Sequence, residues 1–352
     1  MTEPLSPTSL ILPLPIEAWV ERDGDNMVIH WTLEEPLLAL YAGPDPDRID
    51  FSAPLPATID AVGQSAVVRW GNGERTEALG YERGGGRAYF ALDFGRRHLI
   101  TAERILPLSG GVNFRDVGGY RTADGRAVRW GQVYRAGSLA ELTDGDVAAL
   151  GALGLRLVCD LRSPDELARH ADRLPPGATH THRSIAGEIG RLRRVVILYR
   201  KRHRLQELLE QIYRVMIDQN GPALAGVLRL AADPANRPLV IHCTAGKDRT
   251  GLAVALLLLS LGVPEETVVA DYTLSNHAFE VLSGRMRPEM ARLYSFGFNE
   301  AQLQPLLLAE ARTLRGALAY LRRRYGSLDW YLQRAGLSAD TLDARRDGLL
   351  TA

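Results

Sequence analysis

The first hundred residues alternate between apolar and polar side chains in short runs. Residues 27–33 direct methionine, isoleucine, tryptophan and leucine to one face, and valine, histidine and threonine to the other. Residues 66–70 and 88–92 form similar runs, and glycine-rich turn signals separate them. A period of two between turn signals is typical of antiparallel strands. The pattern therefore predicts a small all-β, sandwich-like domain over residues 1–105.

Beyond this region the pattern changes to compact apolar runs separated by helical periodicity. Residues 156–160 and 238–242 are short runs with an apolar centre, of the kind that form buried parallel strands. Between them, apolar residues recur at helical spacing over residues 205–216. Strands that alternate with helices indicate an α/β fold. We therefore predict that residues 106–352 form a domain with a central, mostly parallel sheet flanked by helices.

Composition and charge narrow the function classes. The chain has 352 residues, 24% charged and 46% hydrophobic, which is typical of a globular protein. Forty-two basic residues balance forty-two acidic ones, so no overall field attracts nucleic acid and no such partner is expected. No apolar run reaches the roughly 18 residues of a membrane span. Residues 1–15 lack the basic start of a secretory signal, so we expect a cytoplasmic protein without a transmembrane segment.

One decapeptide concentrates the candidate chemistry. Residues 242–251 read His-Cys-Thr-Ala-Gly-Lys-Asp-Arg-Thr-Gly, between a predicted strand and a predicted helix. A tight loop that leads into a helix binds phosphate because its backbone N–H groups and the helix dipole favour an anion. There, the thiol of Cys243 is shifted towards the thiolate, and the planar fork of Arg249 can hold two phosphoryl oxygens. The pattern predicts a phosphate-binding loop that carries a nucleophile.

The other loop residues supply the remaining candidate ligands. The predicted phosphate-binding positions are Thr244, Ala245, Gly246, Lys247 and Thr250. The hydroxyl group of Thr250 can also donate a hydrogen bond to the sulfur when the sulfur leaves. We expect His242 to shape the loop by hydrogen bonding. The eight histidines show no spacing typical of a metal site, so no metal is expected.

The decapeptide resembles the signature loop of the cysteine-dependent protein tyrosine phosphatases, because Cys-x5-Arg is followed by threonine and glycine. Residues 113–120 (Asn-Phe-Arg-Asp-Val-Gly-Gly-Tyr) and 160–163 (Asp-Leu-Arg-Ser) extend the likeness. Together they make the chain similar to the bacterial branch that includes mycobacterial protein tyrosine phosphatase B, and to the atypical dual-specificity phosphatases. The resemblance covers residues 108–276 and leaves the β-domain, whose partner is unknown, outside it.

The resemblance implies hydrolysis of phosphate monoesters, foremost phosphotyrosine in proteins, through a phosphocysteine intermediate and without a metal or organic cofactor. The substrate is then a phosphorylated protein or, in the alternative of a dual-specificity or lipid phosphatase, a phosphoinositide. A catalytically inert phosphoprotein-binding module is a further alternative, against which the retention of Cys243, Arg249 and Thr250 argues. An arsenate reductase would need more paired cysteines than the two present.

The general acid has three candidates. Asp248 lies inside the loop, where similar family members are thought to keep their acid, and it is our first choice. Asp160 at the end of its strand is second, with the alternative that it only orients loop amides. Asp218 is a distant third. An alternative for Asp248 is a purely structural ion pair with an arginine.

Two basic features bear on the substrate. Lys247 is one of only two lysines among forty-two basic residues, and an ammonium at the loop rim could meet a second phosphate. Residues 191–204 carry seven basic and no acidic side chains, within a segment, 187–218, where the mycobacterial relative has a helical lid. Such a lid could steer anionic substrates or contact an acidic membrane surface peripherally. A solvated basic helix face is the alternative.

The second cysteine also has two interpretations. Cys159 precedes Asp160 on a strand expected near the catalytic one. A small buried core residue is the simpler interpretation. The alternative is a resolving thiol that protects oxidised Cys243 as a disulfide.

Overall fold

The structure is a computed structural model that describes residues 17–23, 26–60, 64–69, 87–185 and 204–351. Within these ranges the chain forms an N-terminal pair of antiparallel sheets and a C-terminal α/β unit.

The N-terminal strands form two antiparallel sheets that share a core. One sheet has the order β1-β2-β5-β4, built from β1 (Ala18–Asp23), β2 (Asn26–Trp31), β4 (Thr58–Asp60) and β5 (Ser65–Arg69). The other has the order β3-β6-β7, built from β3 (Ala39–Gly43), β6 (Tyr89–Asp93) and β7 (His98–Ala102). The alternation in the sequence sets which face is buried, because Met27, Ile29 and Trp31 on β2 all lie in the shared core.

The C-terminal sheet has five strands in the order β11-β10-β12-β9-β8. The strands are β8 (Arg115–Asp116), β9 (Val133–Ala136), β10 (Leu157–Asp160), β11 (Thr179–His182) and β12 (Leu239–His242). Every neighbouring pair is parallel except β8 and β9, which are antiparallel. The predicted mostly parallel sheet is therefore confirmed, and the two apolar runs of the sequence are its neighbouring central strands β10 and β12.

Twelve α-helices occur in the described residues. They are α1 (Asp144–Ala152), α2 (Pro164–Arg169), α3 (Leu205–Gln219), α4 (Gly221–Ala232), α5 (Asp248–Leu261), α6 (Glu265–Thr273), α7 (Phe279–Arg285), α8 (Arg287–Ser295), α9 (Glu300–Leu307), α10 (Ala311–Tyr325), α11 (Leu328–Arg334) and α12 (Ala339–Leu349). Helix α5 is buried almost throughout, since α4, α6, α11 and α12 pack around it. None of the described helices is long and apolar enough to cross a membrane.

The segment predicted as a lid is described only in part. Residues 187–203, which hold most of the basic stretch, lie outside the described residues. From Leu205 the chain is helix α3, whose Leu209, Tyr213 and Ile217 side chains belong to the main core. This part of the segment is therefore a packed helix.

Candidate active site

The candidate loop joins the central strand to the central helix. Strand β12 ends at His242 and helix α5 begins at Asp248, so residues 243–247 form the predicted strand–loop–helix turn. Gly246 has a φ of +67°, and a Cβ atom there would lie 2.4 Å from the carbonyl oxygen of Ala136. Both the backbone conformation and the close approach require glycine at this position.

The loop carbonyl groups are held from outside the loop. The backbone N–H of Ser138 donates to the Thr244 carbonyl oxygen over 2.9 Å. The side-chain amide of Asn113 donates to the carbonyl oxygens of Ala245 and Gly246 at 3.3 and 3.0 Å. Because C=O and N–H of one planar peptide unit point in opposite directions, the N–H groups that follow these carbonyls are directed to the other side of the loop. That arrangement is a cradle for an anion.

A buried charge cluster supports this brace. Arg135 donates to the Gly246 carbonyl oxygen at 2.9 Å and forms an ion pair with Asp271. Arg115 also pairs with Asp271 and donates to the side-chain oxygen of Asn113. Burial opposes ionisation of Asp271, but Arg115 and Arg135 outweigh it and lower its pKa to about 2. Asn113 itself has a φ of 56°, the left-handed region that asparagine tolerates.

Arg249 is oriented by a carboxylate from another element. Its two terminal nitrogens donate to Glu166 at 2.6 and 2.8 Å, a bidentate pair, and one of them also reaches the Thr244 hydroxyl at 3.2 Å. Glu166 is fixed in turn, since it accepts from the backbone N–H of Ser163 in the capping box of helix α2. Burial opposes ionisation of Glu166, but the bonds from Arg249 outweigh it and hold its pKa well below the usual value.

Asp248 is the first residue of helix α5 and its side chain is 32% exposed. Tyr213 donates a hydrogen bond to one of its carboxylate oxygens at 3.0 Å, and the Tyr213 hydroxyl is 2.8 Å from that of Tyr272. Burial raises the pKa of Tyr213 well above its usual value, so its hydroxyl stays protonated at neutral pH. The other carboxylate oxygen of Asp248 lies 3.6 Å from the Lys247 ammonium, so both oxygens have a partner while the side chain remains partly exposed.

The sequence suggested that the Lys247 ammonium lies exposed at the rim of the loop. In the structure Lys247 is buried. Its side chain is 3% exposed, and its ammonium donates to the carbonyl oxygens of Leu306 and Leu308 at 2.6 and 3.2 Å. These carbonyls close the end of helix α9, where unsatisfied acceptors attract a cation. The contact ties the loop to the C-terminal helices.

Asp160 and His242 lie beneath the loop with Asp172. Ligand atoms of these three residues lie within 4.8 Å of one another, a grouping that could in principle hold a metal. A guanidinium already fills the position between the carboxylates, because Arg162 reaches Asp160 at 2.8 Å and Asp172 at 2.6 Å. Asp160 also accepts from the backbone N–H of Arg162 at 2.8 Å. This geometry agrees with a structural carboxylate at the strand end and gives no support to Asp160 as the acid.

Two other residues weighed from the sequence are held in structural contacts. Asp218 accepts hydrogen bonds from the hydroxyl groups of Tyr320 and Tyr325, at 2.6 and 2.9 Å. Cys159 is fully buried in the core, and burial raises its pKa to about 12. A thiol so resistant to ionisation is a poor attacking group, which favours the core interpretation over a resolving thiol.

Thr250 is also fully buried, next to Arg249 in the first turn of α5. Its hydroxyl oxygen has no hydrogen-bond partner among the described residues. Buried hydroxyl groups are nearly always paired. The unpaired hydroxyl beside the loop is therefore available to a group that the loop binds or carries.

Sequence reasoning missed several residues of this site, among them Glu166, Tyr213 and Asp271. The capping pattern Ser-x-x-Glu at Ser163 predicts a helix start but not the contact of Glu166 with Arg249. Tyr213 falls on the apolar helix face predicted over residues 205–216, which indicates a core residue and not a partner of Asp248. Asp271 carried no signal, because its partners lie more than one hundred residues away along the chain.

Comparison with known proteins shows the family of the chain. Residues 106–351 match the model of a tyrosine phosphatase family. The triple specificity protein phosphatase PtpB of Mycobacterium tuberculosis is 33% identical over 287 residues, which is 71% of this chain and 99% of that protein. A tyrosine-protein phosphatase of Nostoc commune is 30% identical over 216 residues, 58% of this chain and 69% of that one. The match to the crystal structure of P. aeruginosa TpbA covers 60% of this chain and 89% of the TpbA chain, at 14% identity. Its TM-score of 0.28 is too low for a comparison of folds. This chain belongs to the tyrosine phosphatase family.

Proposed function

We propose that the chain hydrolyses phosphotyrosine in proteins in two steps, with Cys243 as the nucleophile. The Cys243 thiolate attacks phosphorus, the S–P bond forms and the bond to the tyrosyl oxygen breaks. Water then attacks the phosphocysteine, which releases inorganic phosphate and returns the thiolate. The main support is that the carbonyls of Thr244, Ala245 and Gly246 are hydrogen-bonded from outside the loop. The N–H groups on the opposite side can therefore bind the phosphoryl oxygens.

Arg249 acts on the phosphoryl oxygens, and Thr250 acts on the sulfur of Cys243. Glu166 orients both terminal nitrogens of Arg249, and the guanidinium turns its other N–H groups to two equatorial phosphoryl oxygens, where they stabilise the charge of the transition state. The unpaired Thr250 hydroxyl donates to the sulfur as it leaves in the second step. Lys247 holds the loop to α9 and contributes its backbone N–H to the cradle.

Asp248 is the proposed general acid. It is partly exposed and lies five residues beyond the nucleophile, so its carboxyl group can reach the leaving oxygen. The hydrogen bond from Tyr213 fixes one carboxylate oxygen, and the other, 3.6 Å from the Lys247 ammonium, carries the proton.

Asp248→Asn should slow substrates with poor leaving groups more than substrates with good ones. A leaving group of low pKa needs little protonation, so we expect a loss of about a hundredfold in kcat for a phosphotyrosine peptide. The loss should shrink steadily across a series of aryl phosphates of falling leaving-group pKa. Asp218→Asn, a matched change on helix α3, should leave the series unchanged. An equal loss across the series would make Asp248 structural.

A second candidate function is wider specificity, for phosphoserine, phosphothreonine and phosphoinositides. One observation favours it: the relative named as a triple specificity phosphatase matches over 99% of its length. Peripheral contact with an acidic membrane would then bring lipid substrates to the loop. Turnover of a phosphotyrosine peptide, a phosphoserine peptide and a vesicle-borne phosphoinositide should be compared at equal enzyme concentration. We expect comparable kcat/KM for all three if specificity is wide, and activity on phosphotyrosine alone would reject the second candidate.

A further inference from the structure

An arginine of the N-terminal sheets reaches into the phosphatase unit. Arg87 lies two residues before strand β6, and its side chain is only 5% exposed. Its guanidinium forms an ion pair with Asp116 and donates to the Glu103 carbonyl oxygen at 3.1 and 2.7 Å. The guanidinium carbon lies 4.9 Å from the ring centre of Tyr89 and 5.2 Å from that of Trp130. The cation is thus enclosed by aromatic rings from both units.

Asp116 is the acceptor in this contact and is fully buried. Its two carboxylate oxygens accept from the backbone N–H groups of Gly118 and Gly131, at 2.7 and 2.8 Å. Those bonds come from neutral donors, and Arg87 supplies the positive charge. A buried carboxylate that loses its cation is strongly destabilised where it stands. Removal of Arg87 should therefore displace Asp116 and the backbone that carries it.

That backbone is the start of the loop brace. Asp116 follows Arg115 in the two-residue strand β8, and Arg115 holds the side-chain oxygen of Asn113. Asn113 in turn holds the carbonyl oxygens of Ala245 and Gly246. On its other edge, β8 is bridged by Ile105, in the segment that leaves the N-terminal sheets. The N-terminal unit thus contacts β8 through both a side chain and the backbone.

We propose that Arg87 is a positioning residue for the phosphate loop, and that the N-terminal sheets complete the catalytic unit. Arg87 holds Asp116, which lies in strand β8 beside Arg115. Arg115 holds Asn113, and Asn113 holds the loop carbonyls. The match to the family begins at residue 106, so this positioning residue lies in a part of the chain that the family model does not cover. The inference rests on the proposed role of the loop as the oxyanion cradle.

The test compares Arg87→Met in the full chain with the parent. We expect kcat on an aryl phosphate to fall about tenfold or more, and Ki for tungstate, an oxyanion that mimics phosphate, to rise by a similar factor. A loose loop binds both the transition state and the oxyanion poorly, whereas a purely structural loss would lower only the melting temperature. The control is Ile29→Val or Ile29→Ala in the core of the N-terminal sheets, whichever lowers the melting temperature by the same amount as Arg87→Met. It should keep both constants within about twofold of the parent.

The outcomes separate the two proposals. If Arg87→Met stays within twofold of the parent in both constants, or if the Ile29 control falls in parallel with it, Arg87 does not position the loop. If Arg87→Met lacks a native circular dichroism spectrum, the isosteric Asp116→Asn is judged by the same criteria. If tungstate fails to compete with substrate in the parent itself, the proposed loop function is wrong and the positioning role falls with it.

Discussion

Cys243→Ser should abolish turnover while the loop still binds an oxyanion. The serine hydroxyl is a far weaker nucleophile than a thiolate, so we expect kcat to fall by at least about a thousandfold. The cradle does not depend on the sulfur, since Ser138, Asn113 and Arg135 hold the loop carbonyls from outside. Tungstate should therefore bind the variant about as tightly as the parent, measured by calorimetry.

The matched control is the other cysteine. Cys159→Ala removes a thiol from the neighbouring strand β10 without touching the loop residues named here. Because burial raises the pKa of Cys159 to about 12, it contributes no thiolate at neutral pH and kcat should stay within about twofold. Residual activity of Cys243→Ser within tenfold of the parent would reject Cys243 as the nucleophile. A large loss in Cys159→Ala without a loss of melting temperature would show that Cys159 takes part in turnover.

Arg249→Lys should be the next most damaging change. An ammonium is a point charge and cannot form two parallel hydrogen bonds to phosphoryl oxygens, nor keep the bidentate contact with Glu166. We expect kcat/KM on a phosphotyrosine peptide to fall about a hundredfold or more, because the contact is strongest in the transition state. Steady-state kinetics at neutral pH measures this directly.

Glu166→Gln separates the charge of Arg249 from its orientation. The guanidinium remains, but the glutamine amide can accept through one oxygen only, so the fork is held less firmly. We expect a smaller loss, about tenfold in kcat/KM. The low pKa of Glu166 keeps it ionised throughout the neutral range. The loss of kcat/KM in Glu166→Gln should therefore be about the same at roughly pH 6 and pH 8. If Glu166→Gln equals the parent, Glu166 does not orient Arg249.

The part of the fold that follows local patterns could be predicted from the sequence. The period-two alternation of Met27, Ile29 and Trp31 correctly gave a half-buried strand. The apolar runs at residues 156–160 and 238–242 correctly predicted buried parallel strands, which the structure shows as the neighbours β10 and β12. The candidate loop could also be placed between its strand and helix, because its chemistry resides in consecutive residues.

Contacts between distant segments could not be predicted in this way. Nothing near Lys247 indicates that its ammonium would close helix α9 instead of facing solvent, because the carbonyl acceptors are about sixty residues away. The same holds for Arg87 and Asp116, which only the packing of the two units brings together. The sequence therefore predicts which residues form the loop, whereas the contacts that brace the loop depend on tertiary packing.

The proposed reaction passes through a phosphocysteine at Cys243, and trapping that intermediate is the most direct test. The enzyme should be mixed with excess phosphotyrosine peptide, quenched in acid within the first turnovers, digested and analysed by mass spectrometry. We expect one added phosphoryl group on the peptide that contains Cys243 in the parent, and none in Cys243→Ser. A phosphoryl group on any other residue, or rapid turnover of the parent with no phosphoenzyme, would contradict the proposed intermediate.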